Sequence, residues 1–363
     1  MVYKYVSKNR YFKDIIDDYF KTDWTKYNDI NLDNLNYVDV DYPNKSCNKC
    51  NIINQFKTID MLSNKKDQYN YILKYNNGVK PDYIPLTISF TKDSIQNIEY
   101  LFTNNKKWII KPENSLARKG VTVISSYNEC LNWIEKYSYK EWIIQDYIDN
   151  PLLIENKKFH FRVYTLVIKD NTSVTILLYN KGFMYSAKMA YDNNLLLKEI
   201  HLSGEDKPEC VNVFPEHFNK HIGEDVYNNK ILPQFKKIVR DTVLSVYDRI
   251  QCPDGMSSKY RCFKMFGYDL LIDSDYKLHL AEINARLISF KYPPPGFKEG
   301  FYKNILDIIT LPNIKQEYIK GDFLYVDTRN IIKQKKEFDK AKLYAAIYAM
   351  VCILLVVYVI LNY

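Results

Sequence analysis

The chain has 363 residues, of which 47% are apolar and 26% charged, which excludes wholesale disorder and leaves enough apolar material for an ordinary core. Lys plus Arg number 51 against 43 Asp plus Glu, a net charge of +8. That charge lies in short clusters rather than a basic stripe, so no nucleic-acid partner is expected. No collagen repeat, long heptad or repeat of about 20–50 residues is present, which argues against fibres and solenoids.

In chain order, the N-terminal segment interrupts every apolar run with charge, so no signal peptide is expected. Residues 1–65 are polar and Asn-rich and are expected to form an N-terminal α/β domain with helices at 11–20 and 56–62. Residues 66–140 are expected as a central domain with a loop between two of its strands. Here an apolar stretch at 83–90 precedes a helix at 94–102, strands at 107–111 and 121–125, and a helix at 127–137. Residues 141–320 are expected as a C-terminal domain, with strands at 142–145, 161–168, 174–179, 264–272 and 277–283 and a helix at 233–250. The stretch 188–225 is long and irregular. Strands joined by hairpins with helices between them predict an α+β fold, and neither G-x-G-x-x-G nor G-x-x-x-x-G-K-[ST] occurs.

The last two segments read as a basic juxtamembrane linker, 321–342, and a transmembrane tail anchor, 343–361. The latter is 19 residues without a charge, a helix of roughly 28 Å. Lys333, Lys335, Lys336, Lys340 and Lys342 outweigh Glu337 and Asp339 before it, so the body is expected on the cytoplasmic face of a membrane. The seven cysteines are then expected as free thiols, and the lone C-x-x-C at Cys47 and Cys50 lacks a second pair for zinc.

Three constellations carry chemistry. The first is W-I-I-K-P at 108–112, a strand ending at Lys111, followed by a polar loop with Arg118, Lys119 and Gly120. A basic loop between strands can fold over a polyphosphate, with Gly120 letting the backbone approach; an exposed hairpin with surface lysines has the same sequence. The second runs from Gln145 to Val167. Lys158, His160 and Arg162 share one strand face, and cations fixed there need an anion, either a phosphate or carboxylate ligand or a structural ion pair.

The third is a hairpin, F-G-Y-D at 266–269 and E-I-N at 282–284, with turn residues Asp273 and Asp275. With the turn centred on 274–275, Asp269 is expected opposite Leu280 and diagonal to Glu282, about 7–8 Å between backbones. Glu282 and Asn284 share that face, and two carboxylates and an amide converging there would hold Mg²⁺. His217 and His221, spaced i, i+4 without H-E-x-x-H, read as a solvated pair.

In order and interval, over roughly residues 60–310, these segments resemble the tubulin–tyrosine ligase-like branch of the ATP-grasp ligases. The resemblance implies an ATP-grasp α+β fold and a ligase that joins a free amino acid to a carboxylate of tubulin, or of another protein acceptor, using ATP and Mg²⁺ through an acyl phosphate. It implies that Lys111, Arg118, Lys119 and Gly120 hold phosphates, and that Gln145, Tyr147 and Ile148 hold adenine. Lys158 and Arg162 would contact nucleotide and phosphate. Asp269, Glu282 and Asn284 would hold Mg²⁺, with Lys111 and Arg162 as the catalytic cations. The chain departs from the family pattern at His160 (usually Asp), Tyr185 (often Arg), Ser203-Gly204 (usually Thr-Asn) and Arg286 (usually small). Lys181 and Lys188 are candidates to replace the missing Arg. The alternative implied by these departures is a catalytically degenerate adaptor that binds ATP and tubulin at a membrane.

Overall fold

The computed structural model describes residues 3–8, 12–21, 24–26, 37–40, 51–58, 62–104, 106–115, 118–204, 207–256, 260–285, 290, 292–311, 314, 321–330 and 350. The chain opens with β1 (Tyr3–Lys8), α1 (Lys13–Phe20), β2 (Trp24–Lys26), β3 (Tyr37–Val40), β4 (Ile52–Ile53) and α2 (Lys65–Tyr75). Next come β5 (Thr87–Thr91), β6 (Trp108–Pro112), β7 (Thr122–Ile124), α3 (Tyr127–Ile134) and β8 (Glu141–Asp146). The long segment after them contains β9 (Leu153–Ile154), β10 (Lys157–Asp170), β11 (Ser173–Ser186), α4 (Lys198–His201), β12 (Val211–Phe214), α5 (Glu216–His221), α6 (Glu224–Val226) and α7 (Leu232–Ser245). Last are β13 (Arg261–Ile272), β14 (Leu278–Asn284), α8 (Phe297–Ile309) and β15 (Phe323–Asn330).

Strand alternation sorts the apolar residues onto two faces of one large sheet. In β10, Phe161, Val163 and Val167 pack with Phe235, Ile238, Val239 and Val243 of α7 and Ile72 of α2. Tyr164, Leu166 and Ile168 point the other way, against Phe301, Ile305 and Leu306 of α8 and Ile16 of α1. The result is three layers, helix, sheet, helix, with β10 at the centre between β11 and β13. Those central pairings are antiparallel, whereas β1, β2, β3 and β4 pair in parallel and join β13 through β4.

A second sheet, in the order β5-β8-β6-β7, is antiparallel throughout. Its own core of Trp108, Ile110, Cys130, Ile134, Trp142 and Ile144 is covered by α3 and the 3₁₀ segment Lys92–Phe102. Ser126 and Glu129 close α3 with a reciprocal capping box, as S-x-x-E predicts.

Several expectations change against the structure. The fold class included a transmembrane helix at 343–361 and a tail-anchored location on a membrane. No helix among the described residues is long and apolar enough to cross a membrane. The helices α7 and α8, with 14 and 13 residues, reach only about 20 Å, short of a hydrocarbon core of about 30 Å. All of 343–361 except Met350 lies outside the described residues, and the anchor and its membrane placement are dropped. Residues 323–330, expected in a linker, form β15 and pair with β11. The expected helix at 56–62 is absent over 56–58, and 59–61 lie outside the described residues. The helix of this region is α2, opened by Asn64, whose side chain accepts from Asp67 N at 2.9 Å. Cys252 and Cys262 are not free thiols: the loop before β13 folds back, sets their Cα atoms 5.7 Å apart and joins them in a disulfide. Cys130 and Cys210 are buried thiols, while Cys47, Cys50 and Cys352 lie outside the described residues.

Candidate functional site

The two sheets meet over a cleft of about 390 Å³, a size that fits a small-molecule site. Its floor comes from β10, β13 and β14 and its roof from β6 and β8. The two sides touch directly, since Lys111 Nζ of β6 donates to the Ala281 carbonyl of β14 at 3.2 Å.

That contact depends on a β-bulge. Ile272 pairs with Leu278 and Leu270 with Leu280, but Asp269 pairs with Glu282 and Gly267 with Asn284. One extra residue, Ala281, is therefore accommodated on β14. Leu278 and Leu280 point into the α7 side of the core, as does Ile283. Without the bulge, Glu282 and Asn284 would share the Leu280 face and enter that core. The bulge turns them to the cleft and exposes the Ala281 carbonyl to Lys111. The expected diagonal from Asp269 to Glu282 is thus a direct cross-strand pair, and Leu280 does not share its face.

Arg162 is the direct partner of Asp269 across β10 and β13. The guanidinium binds the carboxylate at both oxygens, through Nε to Oδ1 and through Nη2 to Oδ2 at 2.8 Å. Burial disfavours the charge on each, yet mutual attraction wins: Arg162 is held above and Asp269 below its ordinary range. Asn284 Nδ2 adds a bond to Asp269 Oδ2 at 3.3 Å. Glu282 faces Lys65, Nζ to Oε1 3.6 Å. Two carboxylates placed directly opposite repel. Together with the amide oxygen of Asn284 they form the hard oxygen donor set that suits Mg²⁺.

Two buried lysines face the cleft, Lys111 at 5% exposure and Lys158 at 2%. Lys111 donates to Gln145 Oε1 at 2.9 Å, and Gln145 is anchored through Nε2 to Thr87 Oγ1 at 2.7 Å. Burial, with the nearby Lys65 charge, pulls the Lys111 amine down to about 8 against the attraction of Glu282 and Asp269. Lys158 lies over the Tyr147 ring at 3.9 Å and reaches the Ile148 carbonyl at 3.3 Å. Burial lowers its amine to about 7. Among the described residues no carboxylate lies within ion-pair distance of either amine. Five cationic lining side chains, Lys65, Lys111, Arg118, Lys158 and Arg162, face three carboxylates, Asp146, Asp269 and Glu282. Arg118 is exposed and Arg162 half-buried, but Lys65, Lys111 and Lys158 are buried, and buried positive charge calls for an anion.

The basic loop divides. Arg118 lines the cleft and donates to the Ser203 carbonyl at 3.4 Å, while Lys119 is exposed and outside the lining. Gly120 is buried and also outside it. Its φ is +77°, and a Cβ there would sit 2.7 Å from Pro112 Cγ, so packing accounts for this glycine. Gln145, Tyr147 and Ile148 line the cleft on the β8 side.

The departures from the family pattern touch one another. His160 pairs with Tyr185 across β10 and β11, ring centroids 5.2 Å apart, and its Nδ1 lies 2.6 Å from Ser203 Oγ. Gly204 packs beside the His160 ring with φ +95°, and a Cβ there would come 3.2 Å from His160 Cε1, so the site now favours glycine. Lys181 pairs with Asp322 at 3.0 Å and Lys188 is exposed; neither lines the cleft, and Arg286 lies outside the described residues.

Sequence reasoning missed Lys65, His201 and Ser203 as lining residues. Lys65 arrives at the first turn of α2, and only the Asn64 cap hinted at that helix. His201 contacts the Leu195 carbonyl through Nε2, which makes Nε2 the donor, so Nδ1 accepts from the Tyr147 hydroxyl at 2.7 Å. It thereby fixes the ring on which Lys158 rests.

A family model described as the tubulin-tyrosine ligase family matches residues 44–286, two thirds of the chain and every cleft residue described above. The chain belongs to the tubulin-tyrosine ligase family. Among family relatives, tubulin glycylase 3C of Tetrahymena thermophila is 31% identical over 206 residues, 52% of this chain and 18% of the relative. A probable alpha-tubulin polyglutamylase of the same organism is 29% identical over 61% of this chain and 58% of its own length. Tubulin polyglutamylase TTLL5 of Homo sapiens is 27% identical over 64% of this chain and 20% of its own. The chain thus spans less than two thirds of each of these relatives.

Proposed function

We propose that this family member is an ATP- and Mg²⁺-dependent ligase that joins a free amino acid to a carboxylate of tubulin. The observation that carries the reading is the pair of buried amines, Lys111 and Lys158, without carboxylate partners among the described residues and beside an opposed carboxylate pair. An anionic polyphosphate offsets the first and a divalent cation the second.

ATP as co-substrate supplies the driving force, converting the acceptor carboxylate to an acyl phosphate that an amine can attack. Lys111, Lys158 and Arg118 hold phosphate oxygens. Gln145 and the Tyr147–Ile148 segment hold the base. Asp269, Glu282 and Asn284 hold the metal. Arg162 orients Asp269 and, with Lys111, neutralises charge at the reacting end. The work of these side chains is positioning and electrostatic stabilisation. In this reading residues 66–140 form the covering unit and 141–320 the catalytic one.

Incubation with Mg·ATP, microtubules and labelled Tyr, Glu or Gly is expected to give covalent incorporation of one of them. No incorporation of any, with ATP bound, overturns the ligase reading. A second reading, a nucleotide- and tubulin-binding protein without ligation, is favoured by His160 in place of an acid and by the full engagement of Asp269 with Arg162. Acceptor-dependent release of ADP rejects it.

A further inference from the structure

We infer that Glu155, His217 and His221 form a binding site for one divalent transition-metal ion of the Zn²⁺ class. The site lies outside the cleft, on the turn between β9 and β10 and on α5. One donor atom from each of the three side chains lies within 4.8 Å of the others. Bonds of about 2.0–2.1 Å in a tetrahedral site set ligand atoms about 3.4 Å apart, so the cluster closes by roughly 1 Å or somewhat more. The exposed Glu155 side chain supplies that movement.

Three features suit a metal. The two imidazoles lie one helical turn apart with ring centroids 4.4 Å apart and planes tilted by 42°. His221 Nδ1 donates to the His217 carbonyl at 2.9 Å, which fixes the tautomer and leaves the lone pair on Nε2, and Nε2 faces Glu155 Oε1 at 3.5 Å. A backbone carbonyl behind a ligating imidazole is the usual supporting contact of such sites. Glu155 itself sits with φ +51° beside Asn156 at +58°, in a two-residue turn closed by the Ile154–Lys157 pair. Gly or Asn is favoured there, and a glutamate is uncommon.

Two imidazoles and a carboxylate leave a fourth position for water, and the oxygen and nitrogen donors suit Zn²⁺ more than Mg²⁺. Phe218, between the two histidines, packs on Phe161 of β10 with centroids 5.6 Å apart. A bound ion therefore clips the outer side of α5 to the turn from which β10 starts, three residues before Lys158. Its role is structural and independent of the ligase reading.

The test uses the full chain carrying Cys47→Ser and Cys50→Ser, stripped with chelator and titrated with Zn²⁺ alone by calorimetry. One equivalent is expected, with a rise in Tm of at least about 2 °C at saturation. His217→Ala and His221→Ala are each expected to weaken binding at least ~100-fold, and Glu155→Gln ~10-fold, with far-UV circular dichroism unchanged. No saturable equivalent, or unchanged affinity in both histidine variants, overturns the site. Co²⁺ in the same Cys47→Ser, Cys50→Ser chain gives a second readout: a spectrum of nitrogen and oxygen donors supports it, and a thiolate charge-transfer band from the bound ion overturns it.

Discussion

Replacing Lys158 by Met separates what the cleft does from what the fold needs. The amine is lowered from 10.5 to about 7 because it is buried. The unfolded chain therefore keeps that proton across a window in which the folded chain releases it. Stability rises with pH wherever the unfolded state binds more protons, so this group's penalty is full below pH 7 and fades toward 10.5. At roughly 1.4 kcal/mol per pH unit the gap amounts to about 5 kcal/mol as a ceiling. Exchanging a buried charge for an apolar side chain of similar length recovers about 1–4 kcal/mol. Lys158→Met is thus expected to be more stable than the wild type at pH 7 by that amount, and to lose the rise between pH 7 and 10. It should bind nucleotide about 10- to 100-fold more weakly, the loss of a charge-assisted hydrogen bond. Wild-type affinity should fall as pH rises above 7, by up to about tenfold per unit, since phosphate is already ionised there. Guanidinium unfolding at pH 7 and 9 and calorimetry with an ATP analogue measure both. A variant less stable than the wild type, with nucleotide affinity unchanged, refutes the assignment of Lys158.

Glu282→Gln removes a proposed metal ligand and half of the opposed carboxylate pair; amino-acid incorporation is expected to fall at least ~100-fold with the unfolding midpoint nearly unchanged, as measured by labelled transfer and thermal scans. Gly182→Ala places a Cβ 2.3 Å from the Arg162 carbonyl, so β10 and β11 must separate; a loss of about 1–3 kcal/mol is expected in denaturant titration. His160→Ala and Ser203→Ala, which share a 2.6 Å hydrogen bond, should couple by about 0.5–1.5 kcal/mol in a double-mutant cycle of stability. Additive effects would dismiss that bond.

The strands of the central sheet were legible because they read as short apolar runs, buried on both faces, and parity alone placed Lys158, His160 and Arg162 on one face. What was not legible came from events without a hydropathy signature. The bulge at Ala281 changes parity within a run that reads as a continuous strand, and only the pairing with β13 reveals it. The helix α2 is mostly polar, so its periodicity was weak although its cap was present. β15 opens with the short apolar run Phe323–Val326, which was hidden by the charged sequence around it, and its hydrogen bonds come from the edge of β11. Glu155 and the histidines of α5 are more than sixty residues apart, and no spacing rule links them.

The departures at His160, Tyr185 and Ser203-Gly204 bear on which reading of the cleft holds. In a site that has lost its chemistry, replacements accumulate independently, and each leaves its neighbours unmatched. Here they match: Ser203 offers a hydroxyl to His160, Tyr185 offers its ring to the same imidazole, and Gly204 leaves beside it the space that a Cβ would crowd. The side chains proposed for phosphate and metal are present, with Lys111 and Lys158 held buried at a cost to stability. A fold under selection for binding tubulin alone would gain stability by replacing either lysine with Met or Leu. Their retention beside a rebuilt patch favours a cleft that still takes a polyphosphate, which the ligase reading and the nucleotide-binding reading share; acceptor-dependent release of ADP separates the two.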